Sequence, residues 1–211
     1  MSAQETGKCQ SVLTRSMRAC TFAVVDELTR LAHAARLGER GAIEAFIEAS
    51  YGEVWRLCAA LADAGAADDL TQETYVRCVP ALRRFRGDAS ARTWLLSIAR
   101  RVCMDELRSR ARRRRSAGVL DDAQALVVPD AAADVAVADL VVRLSPDRRA
   151  AFVLTQLFRL SYQEAALVCG CPVGTIRSRV ARAREDLVAM IAESKPARGD
   201  GRQVPGRQHG V

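Results

Sequence analysis

The stretch 111–133 decides what this chain can fold into. It opens on Ala111 and four arginines, passes Ser116 and Gly118, and runs through Asp/Ala-rich sequence to Pro129. No helical stripe of apolar residues holds across it, and an internal segment of this length without one is a functional loop or a disordered linker. On either side the apolar period is helical, so the segment divides the chain into two helical units, near 112 and 134. The expected units are 22–111 and 135–194, with a linker over 112–134. Residues 1–21 and the Gly/Pro-rich tail 195–211 are expected to be disordered. The fold class is therefore all-α: two small helical domains joined by a flexible linker.

Charge divides the chain in the same way. Lys+Arg number 32 against 25 Asp+Glu, a net charge of +7. That excess points to a polyanionic partner, nucleic acid or an anionic membrane surface. It is not spread evenly. Seven acids against Arg56 leave 44–74 at −6, while twelve arginines against three acids leave 83–115 at +9. Five aspartates put 116–142 at −5, and four arginines put 173–184 at +4. Two basic blocks parted by an acidic one suit two nucleic-acid contacts better than ordinary solvated faces. Aromatics are 5% of the chain, few for a protein that reads single strands mainly by stacking.

Other classes fall away. No apolar run approaches the roughly 18 residues of a spanning helix, so no membrane insertion is expected. Lys8, Arg15 and Arg18 precede only Ala19 to Val25 before Asp26 and Glu27, short for a signal segment, which indicates a cytoplasmic protein. Met17 is a second candidate start beside Met1. The seven cysteines (Cys9, Cys20, Cys58, Cys78, Cys103, Cys169 and Cys171) are odd in number and scattered, unlike a disulfide framework. Free thiols packed in helices are the expectation. The Cys169-Gly170-Cys171 triplet keeps a metal or redox reading open, though zinc would need two more ligands. The two histidines, His33 and His209, fall outside the strongest patterns. No catalytic residue, metal ligand or cofactor is expected.

In the first unit, Ile43, Phe46, Ile47, Val54, Leu57, Cys58 and Leu61 repeat near helical period, and Gly65 breaks the run. Asp68 is placed to cap the next helix. Within DDLTQETYVRC, Leu70 and Tyr75 suit the inside, while Asp69, Gln72 and Glu73 share one polar face by their i, i+3, i+4 spacing. That face fits either solvent or a partner. Phe85 and the loop Arg86-Gly87-Asp88-Ala89-Ser90 carry turn chemistry before a helix starting near Ala91. Leu95, Ile98, Val102 and Leu107 mark its buried side. Ser97, Arg101, Met104 and Arg108 repeat on the other, joined by Arg100. An arginine row along a helix suits successive phosphates. Trp94 fits core packing as well as a base contact.

The second unit begins with Ser145-Pro146-Asp147, a helix start with Ser as cap and Pro in the first position. Ser161-Tyr162-Gln163-Glu164 is a capping box, Gly170 a helix stop, and Thr175 onward a longer helix. Ile176, Val180, Leu187 and Ile191 form its core side, leaving Thr175, Ser178, Arg179 and Arg182 for a major groove. Short helix, tight turn and basic second helix make a helix-turn-helix.

With these segments in order, the chain closely resembles the extracytoplasmic-function (ECF) class of sigma-70-like initiation factors. The carriers are DDLTQETYVRC, RFRGDASARTWLLSIARR and LSYQEAALVCGCPVGTIRSRVARAREDL, particularly like the actinobacterial sigma C group. The resemblance covers about 25–110 and 136–193. It implies that Asp68, Asp69, Gln72 and Glu73 grip the β′ clamp helices of core RNA polymerase. It implies that Arg86, Gly87, Asp88, Ser90, Trp94, Arg100, Arg101 and Arg108 serve −10 recognition and melting, with a flipped base held by the Arg86–Ser90 loop. Thr175, Arg177, Ser178, Arg179 and Arg182 would read the −35 element, and the second domain would rest on the β flap. The linker would run toward the RNA exit channel. Regulation would come from expression level or a partner such as an anti-sigma protein.

Two other classes are open to a sequence of this kind. A free-standing helix-turn-helix regulator would need a dimer interface to read two half-sites, and no heptad or dimerisation helix is present. A nucleic-acid enzyme would want clustered carboxylates or a metal constellation, for which Asp88, Asp105 and Glu106 are too weak a set.

Overall fold

The computed structural model describes residues 27–117 and 134–194. The segments 1–26, 118–133 and 195–211, with the expected disordered ends and most of the expected linker, lie outside the described residues. Every regular element among the described residues is helical.

The first unit is α1 (27–37), α2 (Ala42–Leu61), α3 (Ala67–Leu82) and α4 (Ala91–Ala117). Phe46, Val54, Leu57 and Leu61 recur on one face of α2 and are sealed from solvent. They form one core with Leu70, Cys78 and Leu82 of α3 and Leu95, Leu96 and Val102 of α4. Each such aliphatic side chain contributes about 1.5–3 kcal/mol by leaving water. Two of the polar side chains caught in this core pair with each other. Ser50 Oγ donates to the Phe46 carbonyl at 2.6 Å and meets the Tyr75 hydroxyl at 2.8 Å. Burial pushes the Tyr75 phenol up to about 12.

Two expectations shift here. Asp68 is not the cap of α3, because the helix grows out of a short 3₁₀ turn (Ala64–Ala66). Asp63 caps that turn, its Oδ1 accepting from the Ala66 amide at 3.1 Å. Asp68 lies inside the first turn of α3 and accepts from Trp55 Nε1 at 3.0 Å. Met104, expected in the outward row of α4, is buried instead. α4 is packed by α2, α3 and α7, so its buried sector is wider than one stripe.

α4 also runs on to Ala117. Glu106 accepts from Arg110 Nε at 2.7 Å and Arg113 Nη2 at 2.9 Å, and Arg113 Nη1 donates to Ser109 Oγ at 2.7 Å. Side-chain pairs at these spacings support a helix that apolar periodicity alone does not reveal.

The second unit is α5 (Asp134–Arg143), α6 (Pro146–Phe152), one π turn (Val153–Leu157), α7 (Tyr162–Cys169) and α8 (Val173–Ser194). Pro146 opens α6, with Ser145 at the cap position but its hydroxyl not bonded to the helix. The capping box at α7 is complete: Glu164 N donates to Ser161 Oγ at 3.2 Å and Ser161 N to Glu164 Oε2 at 2.8 Å. Gly170 ends α7 at φ 63°, a left-handed conformation that favours glycine. α8 begins at Val173, two residues before the expected Thr175. Ile176, Val180, Ala183 and Leu187 pack inward, but Ile191 is 51% exposed.

The two units pack against each other, chiefly α4 on α7. Arg92 Nε donates to Glu53 Oε1 at 2.8 Å and its Nη2 to the Phe158 carbonyl at 3.0 Å. The buried Arg149 meets carbonyls rather than a carboxylate: Leu61 at 2.9 Å, Leu144 at 3.2 Å, and Val142. Leu61 and Val142 lie at the C-terminal ends of α2 and α5, where partial negative charge gathers.

Candidate nucleic-acid interface

Three surfaces gather the candidate residues. The first is the outer face of α3. Asp69, Gln72 and Val76 stand exposed in one row, beside residues buried on the same helix. Glu73 is half-exposed and accepts from Arg77 Nε at 2.8 Å. Sequence reasoning missed Val76, which is 67% exposed. Val76 places one apolar side chain among the polar residues of this face.

The second surface surrounds the loop before α4. Arg84, Phe85, Arg86, Gly87, Asp88, Trp94 and Ser97 line a cleft of about 290 Å³. Gly87 sits at φ 79°, and a Cβ there would come within 3.1 Å of His33 Nε2. A side chain there is strained by the left-handed backbone and would require the His33 ring to give by a few tenths of an ångström. His33 packs on Phe85 and Phe85 on Trp94, each with centroids 5.2 Å apart. Phe85 is buried, whereas Trp94 is only partly so and shows an edge to the cleft. Arg86 and Asp88 pair at 3.3 Å in solvent. Ser90 serves the fold, since its Oγ accepts from the Thr93 amide at 3.2 Å and starts α4.

The arginines of this region divide. Arg101 and Arg108 are exposed. Arg100 is turned into the contact between units, its Nη2 donating to Asp147 Oδ1 at 3.0 Å and its Nη1 to the Cys169 carbonyl at 3.4 Å. Leu167 of α7 closes one side of the cleft.

The third surface is α8. Arg177, Ser178 and Arg182 are exposed, Thr175 and Arg179 partly so. Thr175, Ser178 and Arg182 lie opposite the buried Ile176–Val180–Ala183 side, as a groove-reading face requires. Arg179 instead donates from Nη2 to Asp147 Oδ2 at 2.8 Å. One carboxylate therefore holds an arginine from each candidate DNA surface. No sequence pattern marks Asp147 for this role, because its partners are 47 and 32 residues away.

The five described cysteines are free thiols. Cys58, Cys78, Cys103 and Cys169 are buried and Cys171 is half-buried. Burial pushes Cys78 up to about 12 and Cys169 up to about 11, which keeps both protonated. Among the described residues no three His, Cys, Asp or Glu side chains form a metal-binding group.

Comparison with known proteins fits this geometry. Residues 46–113 match the model for sigma-70 region 2, and 134–187 that for sigma-70 region 4. The chain is 49% identical to the ECF RNA polymerase sigma factor SigC of Mycobacterium tuberculosis over 178 residues, 81% of this chain and 93% of that one. The chain belongs to the ECF class of the sigma-70 family. This sigma factor is also 36% identical to the RNA polymerase sigma-H factor of Pseudomonas aeruginosa, over 58% of its own length and 72% of the relative's. Among solved structures it resembles the sigma factor RpoE of Bartonella quintana, determined with the anti-sigma factor NepR. That match has a TM-score of 0.64 and 26% identity, covering 74% of this chain and 99% of that one. CnrH, solved with the cytosolic domain of CnrY, matches with a TM-score of 0.60 and 27% identity, over 79% and 98% of the two chains. As a member of this family the protein is a transcription initiation factor that directs RNA polymerase to promoters. No helix among the described residues is long and apolar enough to cross a membrane.

Proposed function

We propose that the three surfaces divide the work of promoter-specific initiation. The outer face of α3, with Asp69, Gln72, Glu73 and Val76, grips the β′ clamp helices of core polymerase, and Asp68 braces it through Trp55. The Phe85–Trp94 cleft takes an unstacked base of the −10 element, with Arg86, Gly87 and Asp88 at its mouth and Arg101 and Arg108 on adjoining phosphates. Unstacking a base costs a few kcal/mol, which contacts across the holoenzyme offset. α8 reads the −35 element through Thr175, Ser178 and Arg182, flanked by Arg177, and the second unit rests on the β flap. Arg100 and Arg179 join these contacts when they exchange Asp147 for phosphate.

The observation that carries this reading is the selective exposure of these residues on helices whose other faces build the cores. The protein works in the cytoplasm and is not itself an enzyme, the polymerase making the RNA. Its surfaces also suit an anti-sigma partner, since RpoE of Bartonella quintana was solved with the anti-sigma factor NepR bound.

The test is run-off transcription with core polymerase and the Asp69→Arg/Glu73→Arg variant. Loss of polymerase capture and of transcript, with an unchanged circular dichroism spectrum, is expected. Undiminished co-purification with core polymerase would remove the α3 face from this account.

A further inference from the structure

α4 carries an arginine row longer than the −10 surface needs. Arg101, Arg108, Arg112 and Arg115 follow one another by seven, four and three residues, so all four lie along one side of the helix. All four are exposed. At 1.5 Å per residue the row is about 21 Å long.

The acids of α4 leave it charged. Glu106 is taken by Arg110 and Arg113, which lie off this row. Asp105 accepts from Arg77 at 3.2 Å and from Arg108 at 3.3 Å, the latter an exposed pair of little strength. Among the described residues Arg101, Arg112 and Arg115 have no acidic partner. Arg115 Nε only donates back to its own helix, at the Ala111 carbonyl, 3.2 Å away.

The row also lacks rings. The one aromatic residue of α4 is Trp94, in its first turn beside the cleft. Grooves for single strands interleave cations with rings on which bases stack. A line of guanidinium groups without rings suits phosphates alone, which in a duplex repeat every ~3.4 Å along each strand. The far end of α4 is where the chain leaves the first unit for the unit that carries α8.

We infer that Arg101–Arg108–Arg112–Arg115 is a rail for the backbone of double-stranded DNA lying between the −10 and −35 elements. It extends the −10 surface into the duplex and holds it without reading its sequence. This rests on the proposed −10 and −35 assignments.

The experiment uses holoenzyme assembled from the full chain and core polymerase. Affinity is measured across a salt series on two promoter fragments, one with the duplex between the elements and one starting at the −10 element. Arg112→Gln/Arg115→Gln keeps good helix formers in place. On the longer fragment it should lower the slope of log K against log salt by about 2, and on the shorter fragment leave it unchanged. Arg112→Lys/Arg115→Lys should restore the slope. An unchanged slope on the longer fragment overturns the rail. An equal loss on both fragments overturns it in favour of a single-strand contact, and loss of core polymerase capture in favour of a protein contact. If the parent chain forms holoenzyme that binds neither fragment, the underlying assignment fails, and the rail with it.

Discussion

α4 and α8 are both long helices with arginine at helical spacing, yet the fold uses that arginine differently on each. On α4, Arg92 is drawn to Glu53, Arg100 to Asp147 and Arg110 to Asp63 and Glu106. On α8, Arg179 is held by Asp147 and Arg184 donates to Gln156 Oε1 at 3.0 Å, while Arg177 and Arg182 stand exposed. The cause is the neighbourhood. α4 is the shared wall of both units, touched by α2, α3 and α7, whereas α8 is packed mainly by α6 and α7. What an arginine does is set by the acids that other elements bring to it as well as by spacing along its own helix.

The largest expected effects test the shared wall. Leu96 and Ile176 are both almost completely buried, and truncating either to Ala costs about 2–5 kcal/mol. In urea unfolding of the full chain, Leu96→Ala should lower one common transition, because α4 serves both units. Ile176→Ala should split the curve, the second unit unfolding first. Curves of the same shape would break the contrast between the helices.

Arg182→Ala should weaken −35-dependent initiation by ~1–3 kcal/mol, as loss of a good base contact does. Arg110→Ala, which removes an arginine committed to Asp63 and Glu106, should leave −35 dependence unchanged. If both variants lose equally on a scrambled −35 template, Arg182 binds phosphate and the distinction between the helices narrows. Asp147→Asn acts on both at once, releasing Arg100 and Arg179. Half-exposed pairs of this kind are worth about 0.2–1 kcal/mol each, so promoter affinity should rise by a factor of a few. Fluorescence anisotropy on duplex DNA reads the change, and unaltered affinity would show that Asp147 does not compete with phosphate.

The sequence carries the helical fold, the Ser161 box, the Gly170 stop and the outward face of α8, because each is a local signal within a few residues. It cannot carry the packing of the units on each other. Arg149 reaches Leu61 across 88 positions, and Leu167 reaches the cleft from another unit. His33 stands out in no sequence pattern because its value lies in meeting Gly87 and Phe85, far along the chain. Met104 departs from expectation because a stripe argument assumes one packing partner, and α4 has three. In each case the missing information is which element arrives from elsewhere.

The smallest effect expected concerns an arginine that α4 commits to structure. Burial favours the neutral form of Asp63, but the Arg110 guanidinium and the Ala66 and Gly65 amides outweigh it and hold the carboxyl below its usual range. With its pKa depressed in the folded state, Asp63 contributes stability that is complete above the unfolded value of about 3.9 and drains away as pH falls through the folded one. Asp63→Asn should therefore destabilise the chain at neutral pH and flatten its acid limb, bringing the two stability curves together below about pH 4. Glu106, which Arg110 and Arg113 also hold low, leaves a residual slope of the same sign. Thermal unfolding between neutral pH and about pH 3 measures this. A variant as steep on the acid side as the parent would show that the tie from Arg110 to Asp63 carries no proton linkage, and that α4 spends one arginine fewer on its own fold.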